Sequence, residues 1–134
     1  VFRVNNPDTV VGFAVMGGIF GEGIDLVGER LVGAVVVGVG LPQICLERDL
    51  IKGYYDEHET VGFAYAYTYP GMNRVLQAAG RVIRTEKDRG LILLIDRRFG
   101  REEYRALFPP WWKGTVVTRT PAAIEEAAAL FWGT

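Results

Sequence analysis

Three arginines and a glutamine are spaced along residues 70–84 so that one helix would bring them together. They are Arg74, Gln77, Arg81 and Arg84. At about 100° per residue the four side chains share a face about 80° wide, opposite the apolar residues of the same stretch. No acidic residue separates the arginines, and their repulsion, roughly a few tenths of a kcal/mol per pair, should be offset by an anion. Because arginine contacts phosphate through a planar fork, a nucleotide phosphate is the favoured anion; a salt-bridged surface helix is the alternative.

The arginines belong to a basic block within an almost neutral chain. The chain carries 15 Lys and Arg residues against 16 Asp and Glu residues, so it is no polycation built to coat nucleic acid. Residues 74–105 hold nine basic and five acidic side chains, whereas residues 1–73 hold four basic and nine acidic ones. Within the block, Gly80 lies beside the polar face. A glycine inside a helix costs up to about 1 kcal/mol relative to alanine, so its position predicts the close approach of a ligand or of backbone.

A second candidate segment is the glycine-rich stretch at residues 18–25, GIFGEGID, which follows an apolar run. Glycines let the backbone approach a phosphate or a sugar closely. The stretch is no P-loop, because the second glycine of that motif would have to be followed by Lys and Ser or Thr. It also lacks the glycine pattern of a dinucleotide-binding loop. The carboxylates of Glu22 and Asp25 could bind a ribose hydroxyl or a water, or pair with an arginine of residues 70–84. A tight turn capped by acids fits the same local pattern.

The surrounding elements alternate between strands and helices, which predicts an α/β fold with a mostly parallel sheet flanked by helices. Apolar and β-branched runs predict buried strands at residues 10–16, 34–39 and 91–95. Helical spacing predicts helices at residues 43–59, 70–84, 101–107 and 121–132. Aromatic residues alternate with smaller ones over residues 63–69, which suggests a strand or an extended segment. Residues 115–120 fit either an edge strand or a linker.

Length and composition exclude several classes of protein. With 134 residues the chain has the size of one domain, and its 49% hydrophobic residues suffice for a core. The single cysteine, Cys45, excludes an internal disulfide, a four-cysteine zinc site and a self-contained iron–sulfur cluster. One unpaired thiol fits a reducing, cytoplasmic setting. The longest charge-free apolar run, residues 31–42, is too short for a bilayer, which needs roughly 20 residues. The chain lacks an initiator Met, so we expect it to be an excerpt of a longer protein.

Taken together, the two candidate segments resemble a known family. Residues 18–26, GIFGEGIDL, resemble motif V of superfamily 2 DNA helicases of the XPD/DinG type. Residues 77–84, QAAGRVIR, are similar to motif VI of these helicases, Q-x-x-G-R-x-I-R. The similarity continues through the tripeptide DRG at 88–90, the strand at 91–95, the sequence DRRF at 96–99 and the Pro-Trp pair at 110–111. It covers about residues 10–113, most of the chain.

The resemblance implies an architecture that composition alone does not give. Residues 1–113 would be the C-terminal portion of a second RecA-like helicase domain, incomplete at its N-terminus, and residues 114–134 a C-terminal linker and helix. In this family ATP and Mg²⁺ bind mainly to a first RecA-like domain that carries a P-loop and a DEAH box, neither of which this sequence contains. The missing N-terminal motor domain would therefore be a partner, with ATP and single-stranded or forked DNA; no membrane is expected. An iron–sulfur cluster would belong to the parent protein and not to this chain.

The resemblance also implies roles for residues that match its motifs. Arg84 would be the arginine finger on the γ-phosphate, Arg81 a second phosphate or coupling contact, and Gln77 a sensor of the nucleotide and its attacking water. Further nucleotide-binding positions are Gly80, Glu22, Gly23 and Asp25, of which the last three would link the nucleotide state to the DNA groove. No residue is expected to bind a metal.

DNA contacts are expected at two places. The family often has a serine where Gly21 stands, and that serine tends to meet the DNA backbone; a backbone N–H could replace its hydroxyl. The exposed guanidiniums expected at Arg97, Arg98 and Arg101 would make contacts that are salt dependent and independent of sequence. Their alternative is a solvated turn after the strand at 91–95.

The expected function is thus the C-terminal domain of an ATP-dependent DNA helicase, inactive as an isolated fragment. Two alternatives remain open, a non-catalytic helicase-like protein-interaction module and an RNA helicase domain. The aromatic residues at 63–69 could stack on bases or form core. Trp111 and Trp112 are expected to pin the C-terminal segment to the sheet.

Overall fold

Two parallel strands form the sheet of this chain, whose computed structural model describes residues 6–18, 26, 30–85, 87–112 and 114–133. Strand β1 is Gly33–Val37 and strand β2 is Leu91–Ile95. They pair in parallel, with Gly33 opposite Leu91 and Val37 opposite Ile95. The predicted parallel pairing is confirmed, and β2 has the predicted bounds, although its predicted burial is wrong, because none of its residues is buried and Ile95 is 47% exposed. The expectation that β1 is buried on both faces is wrong, because Val35 and Val37 are 62% and 68% exposed.

The connection between the strands is helical, as parallel strands require. Helix α1 is Leu46–His58, a π-helical segment spans Ala64–Thr68, and helix α2 follows directly as Tyr69–Ala79. After β2 come a 3₁₀ helix at Arg97–Gly100, a short helix α3 at Glu102–Arg105 and the terminal helix α4 at Pro121–Trp132. The bounds of α4 are those predicted, and its start is capped by the Thr120 hydroxyl, which accepts a hydrogen bond from the Ala123 N–H at 3.3 Å.

The predicted extended segment at residues 63–69 is wrong, since these residues are helical. In this alternating pattern every aromatic residue is also four positions away from another one. Side chains four positions apart are neighbours on the surface of a helix. Accordingly the rings of Phe63 and Tyr67 and those of Tyr65 and Tyr69 lie 5.1 Å apart. The alternation was one of side-chain size and not of polarity, because the intervening residues include alanines. It therefore did not distinguish a strand from a helix.

The predicted strand at residues 10–16 is also absent. Val11, Phe13 and Val15 are 72%, 97% and 80% exposed. A strand needs a neighbour for its backbone N–H and C=O groups, and in the described part of the chain β1 and β2 pair only with each other. Residues 115–120 form no strand either, so of their two predicted alternatives the edge strand is wrong.

The core lies between the sheet and α2 and extends to the segment after β2. Its buried members are Val36, Val39, Met72, Val75, Phe99 and Tyr104. No helix in the described ranges is long and apolar enough to cross a membrane.

Gly71 is where the first turn of α2 meets the segment after β1. A Cβ at Gly71 would lie 2.8 Å from the Val39 carbonyl oxygen and 2.9 Å from Leu41 Cδ2. Gly71→Ala should therefore lower the free energy of unfolding by about 1–3 kcal/mol, although alanine favours helix. Gly53→Ala, inside α1 with nothing within 4 Å of its Cβ, should raise it by about 0.5–1 kcal/mol. Urea unfolding of both variants measures these two changes in the free energy of unfolding. Equal changes of the same sign would contradict the close packing at Gly71.

Candidate functional site

A pocket of about 500 Å³ lies at the C-terminal end of α2. Its lining residues are Gln77, Gly80, Arg81 and Arg84. The structure thus brings together the four residues of the predicted nucleotide site that belong to residues 77–84. Both arginines are half-buried, whereas Gln77 is exposed.

The prediction that one helix carries these residues is wrong, because α2 ends at Ala79. Gly80 is the C-cap residue and not an interior residue, so its place in the sequence reflects a helix end. The chain then turns tightly, since the N–H groups of Arg81 and Val82 bond the carbonyls of Ala78 and Ala79 at 3.3 and 3.0 Å. Arg81 and Arg84 leave this turn toward the same pocket as Gln77 on the last turn of α2.

The turn that carries Arg84 is fixed by the carboxylate of Asp88. Its Oδ2 accepts hydrogen bonds from the backbone N–H groups of Arg84 at 2.9 Å and Thr85 at 2.8 Å. These backbone donors hold the pKa of Asp88 below its ordinary value. Sequence reasoning missed this role of Asp88. The available signal was an acid four residues after the last arginine, within the tripeptide DRG.

The other two members of that tripeptide also have structural roles. Nη2 of Arg89 donates to the Phe131 carbonyl at 2.8 Å, and the guanidinium carbon lies 5.2 Å from the Phe131 ring centroid. Gly90 lies against Val82, because a Cβ there would overlap the Val82 side chain. The tripeptide therefore anchors the turn and the end of α4.

Arg74 does not join the pocket, and its predicted place on the arginine face is wrong. Its Nη1 donates to the carbonyl of Gly40 at 3.2 Å. That carbonyl lies beyond the end of β1, outside the β1–β2 ladder of the described residues. Arg74 thus ties α2 to the segment after β1 and is committed to structure.

The pocket has the chemistry of an anion site. Among the described residues its lining supplies two guanidiniums and one amide and no carboxylate, a set of hydrogen-bond donors suited to phosphate oxygens and not to Mg²⁺, which prefers oxygen ligands. The C-terminal carbonyls of α2 carry a partial negative charge that favours cations nearby. An anion in the pocket would accordingly be held by the guanidiniums and not by the helix dipole.

The predicted DNA-binding arginines lie just after β2 and are not equivalent. Nε and Nη2 of Arg98 donate to Oδ1 and Oδ2 of Asp96 at 2.9 and 2.8 Å, a bidentate ion pair. Oδ1 also accepts from the Arg98 N–H, which caps the 3₁₀ helix. Arg97 is exposed, and so is Arg101, whose Nη1 lies 3.7 Å from the Glu103 carboxylate. Arg97 and Arg101 are therefore the more exposed of the three, whereas the 31% exposed side chain of Arg98 is held by Asp96.

The Asp96–Arg98 pair predicts a pH dependence of stability. The Arg98 side chain lowers the pKa of Asp96 to about 2. A depressed pKa contributes stability that is complete above the ordinary value of about 4 and is lost as the pH falls through about 2. Between pH 5 and pH 2 the wild-type chain should lose about 1–2 kcal/mol more unfolding free energy than Asp96→Asn, whose side chain does not titrate. Urea unfolding at both pH values measures this, and parallel pH profiles of the two proteins would contradict it.

An apolar groove of about 410 Å³ adjoins the arginine pocket at Gly80 and includes residues 107–112. Trp112 is half-buried, and its ring lies 5.3 Å from that of Phe108, which packs against the core. Trp111 is 75% exposed. Trp112 thus packs on Phe108, and the expectation that the two tryptophans pin this segment to the sheet stays a prediction.

Four predicted site residues cannot be placed. Gly21, Glu22, Gly23 and Asp25 lie outside the described residues.

Comparison with known proteins defines the class. Residues 1–115 match the family model of the helicase C-terminal domain, and the chain belongs to that family. Its relatives include a probable ATP-dependent helicase of Methanocaldococcus jannaschii, 36% identical over 69% of this chain and 16% of the relative. They also include the general transcription and DNA repair factor IIH helicase subunit XPD of Arabidopsis thaliana, 33% identical over 75% of this chain and 14% of the relative. A homolog of regulator of telomere elongation helicase 1 from Culex quinquefasciatus is 31% identical over 81% of this chain and 12% of the relative.

These matches confirm the resemblance to XPD-type helicases. The small parallel sheet with its helices fits the expected α/β class. The chain spans about one seventh of the length of the curated relatives that it matches.

Proposed function

We propose that this chain is part of the second RecA-like motor domain of an ATP-dependent DNA helicase and supplies arginines to ATP held by a first motor domain. The observation that carries the proposal is the pocket in which Gln77, Arg81 and Arg84 converge. Negative charge spreads over the transferred phosphoryl group during hydrolysis, and a positioned arginine stabilises it. Arg84 acts as the arginine finger, Arg81 as a second phosphate contact, and Gln77 orients the attacking water.

The remaining parts of the ATP site come from elsewhere. The sequence contains no P-loop, and the lining residues that the structure describes offer no carboxylate for Mg²⁺. The first motor domain therefore holds the triphosphate and the metal, and any iron–sulfur cluster lies there too. The purified chain should bind ATP weakly and hydrolyse it no faster than its Arg84→Ala variant.

The second part of the proposal concerns single-stranded DNA. The relatives named as a DNA repair factor subunit and a telomere elongation regulator favour DNA over RNA as the strand. Gly21, Glu22, Gly23 and Asp25 would link the nucleotide state to this strand, and Gly80 would approach the nucleotide. Arg97 and Arg101 contact phosphates, while Arg98, held by Asp96, positions the turn between them.

Replacing Arg97 and Arg101 together by alanine should weaken the binding of single-stranded DNA and should make that binding less dependent on salt. Each lost phosphate contact makes the negative slope of log K against log salt shallower by about 0.7. The slope of the double variant should therefore be shallower than that of the wild type by about 1.4. Fluorescence anisotropy with labelled oligothymidine over a salt series measures the slope. The matched control is Arg105→Ala with Arg119→Ala, two exposed arginines outside the proposed contact. Equal slopes for the two double variants would contradict the assignment.

A chimaera tests the proposal as a whole. In this motor chimaera, the segment of the Methanocaldococcus jannaschii helicase that matches this chain is replaced by the chain itself. It should show ATPase activity stimulated by single-stranded DNA and should displace strands from DNA duplexes in preference to RNA duplexes. A folded, DNA-binding chimaera that hydrolyses ATP no faster than its Arg84→Ala variant would contradict the helicase proposal. Preference for RNA duplexes would assign the domain to an RNA helicase.

A further inference from the structure

A row of aromatic rings lies along the helical connection between β1 and β2. It consists of His58 and four tyrosines, Tyr54, Tyr55, Tyr65 and Tyr69. The Tyr55 and Tyr65 rings stack in parallel, with centroids 4.0 Å apart and planes 5° apart. Tyr69 and Tyr54 extend the row at 5.1 and 5.3 Å, and His58 stacks on Tyr54 at 4.5 Å. We refer to these five residues as the tyrosine face.

The tyrosine face is open to solvent. Tyr54 is 58% exposed, Tyr65 39% and Tyr69 37%. Helix α1 has no buried residue, and its Leu46 and Leu50, eight and four residues before Tyr54, are 71% and 65% exposed. Side chains four apart share one side of a helix, so this apolar stripe leads into the rings. A continuous exposed apolar and aromatic surface of this kind marks an interaction site.

The charge around the face selects the partner. Residues 46–59 carry five acidic and two basic side chains, and residues 60–73 carry none. Both basic side chains are engaged within the segment, since Arg48 donates to the Ala66 carbonyl and Lys52 pairs with Asp56 at 2.7 Å. Glu47 and Glu57 are exposed and lie seven residues before and three residues after Tyr54, on its side of the helix. The surroundings therefore repel DNA phosphates.

Tyrosine faces and carboxylates together favour cations. A guanidinium or ammonium group over a tyrosine ring gains about 0.5–1 kcal/mol at exposed sites, and flanking carboxylates add charge complementarity. We propose that the tyrosine face, with Glu47 and Glu57, is a docking surface for an arginine- or lysine-rich segment of a partner protein. This inference does not depend on the arginine pocket or on ATP.

A short fluorescein-labelled oligoarginine peptide, titrated with the full chain and followed by anisotropy, tests the proposal. Replacing Tyr54 and Tyr65 by alanine should weaken binding about tenfold, the loss expected for two cation–π contacts. Replacing the same residues by phenylalanine keeps the rings and should keep the affinity within about twofold. Tyr54→Ala alone, which changes the most exposed tyrosine of the three measured above, takes the place of the double variant if that variant does not fold. Circular dichroism checks the fold of every variant.

Charge variants distinguish peptide binding at the tyrosine face from nonspecific electrostatic attraction between the peptide and the chain. Glu47→Gln with Glu57→Gln should weaken binding about threefold. The matched control, Glu125→Gln with Glu126→Gln, alters two exposed glutamates on α4 and should leave binding unchanged. Absence of peptide binding, or an equal loss in the control, would overturn the proposal. Competition by oligothymidine at the same tyrosines would reassign the face to DNA, and self-association abolished by Tyr54→Ala would reassign it to a second copy of this chain.

Discussion

Replacing Arg84 by alanine should lower the DNA-stimulated ATPase activity of the motor chimaera about 10³-fold. Arginine fingers contribute rate factors of about this size because they neutralise charge that develops on the phosphoryl group only in the transition state. Arg84 is suited to that role because its backbone is fixed by Asp88 and its side chain lines the pocket. The loss should fall on kcat, with the KM for ATP changed much less, since the first motor domain binds the ground state. Steady-state kinetics with saturating single-stranded DNA measures both constants.

Two controls define the result for Arg84. Arg84→Lys keeps one positive charge but loses the planar fork, so it should recover only a small part of the rate. Arg119→Ala removes an exposed arginine elsewhere and should leave kcat unchanged. If Arg84→Ala retained more than about a tenth of the rate, against the roughly 10³-fold loss expected of a finger, the assignment would be wrong.

Asp88→Ala should lower kcat of the motor chimaera about 10–100-fold without removing any group that touches ATP. The variant frees the N–H groups of Arg84 and Thr85 from their shared acceptor. A displacement of about 1 Å at a catalytic group can cost about 10²-fold in rate. Asp88→Asn keeps an acceptor oxygen and should lie between the wild type and Asp88→Ala. Asp88 is thus a positioning residue, and its signature is a partial loss that the amide partly rescues.

The matched control for Asp88 is Asp56. Its Oδ1 accepts a hydrogen bond from the Gly62 N–H at 2.8 Å, so it too fixes backbone by a carboxylate, but between α1 and the π-helical segment. Asp56→Ala should loosen that region and leave kcat near the wild-type value. Equal losses for Asp56→Ala and Asp88→Ala would show a general effect on folding, and no loss for Asp88→Ala would remove its positioning role.

The parts of the fold that could be predicted are those in which one local signal dominates. The run LILLI at β2 is uniformly apolar and bounded by Gly90 and Asp96, so its limits were clear. At α4, Thr120 and Pro121 mark the start of a helix that is rich in alanine. The convergence of Gln77, Arg81 and Arg84 also followed from the sequence, although the geometry that produces it is different. Their spacing suits a helix end followed by a tight turn as well as it suits a continuous helix.

The remainder depended on contacts between distant residues. No local pattern shows that the Gly40 carbonyl would need Arg74, or that Asp96 would take both nitrogens of the Arg98 fork. Nor does a local pattern show that Gly90 would lie against Val82 in the turn after α2. Apolar runs in turn predict strands only if a partner strand is available, which residues 10–16 lack within the described sheet.

The most direct test of the central claim is a titration of the isotope-labelled chain with a non-hydrolysable ATP analogue, followed by amide chemical shifts. We expect shifts concentrated at Gly80, Arg81 and Arg84, weakened by salt and lost when both arginines are replaced by alanine. Shifts that are absent at millimolar analogue, or that persist in the double variant, would contradict a phosphate site at the end of α2.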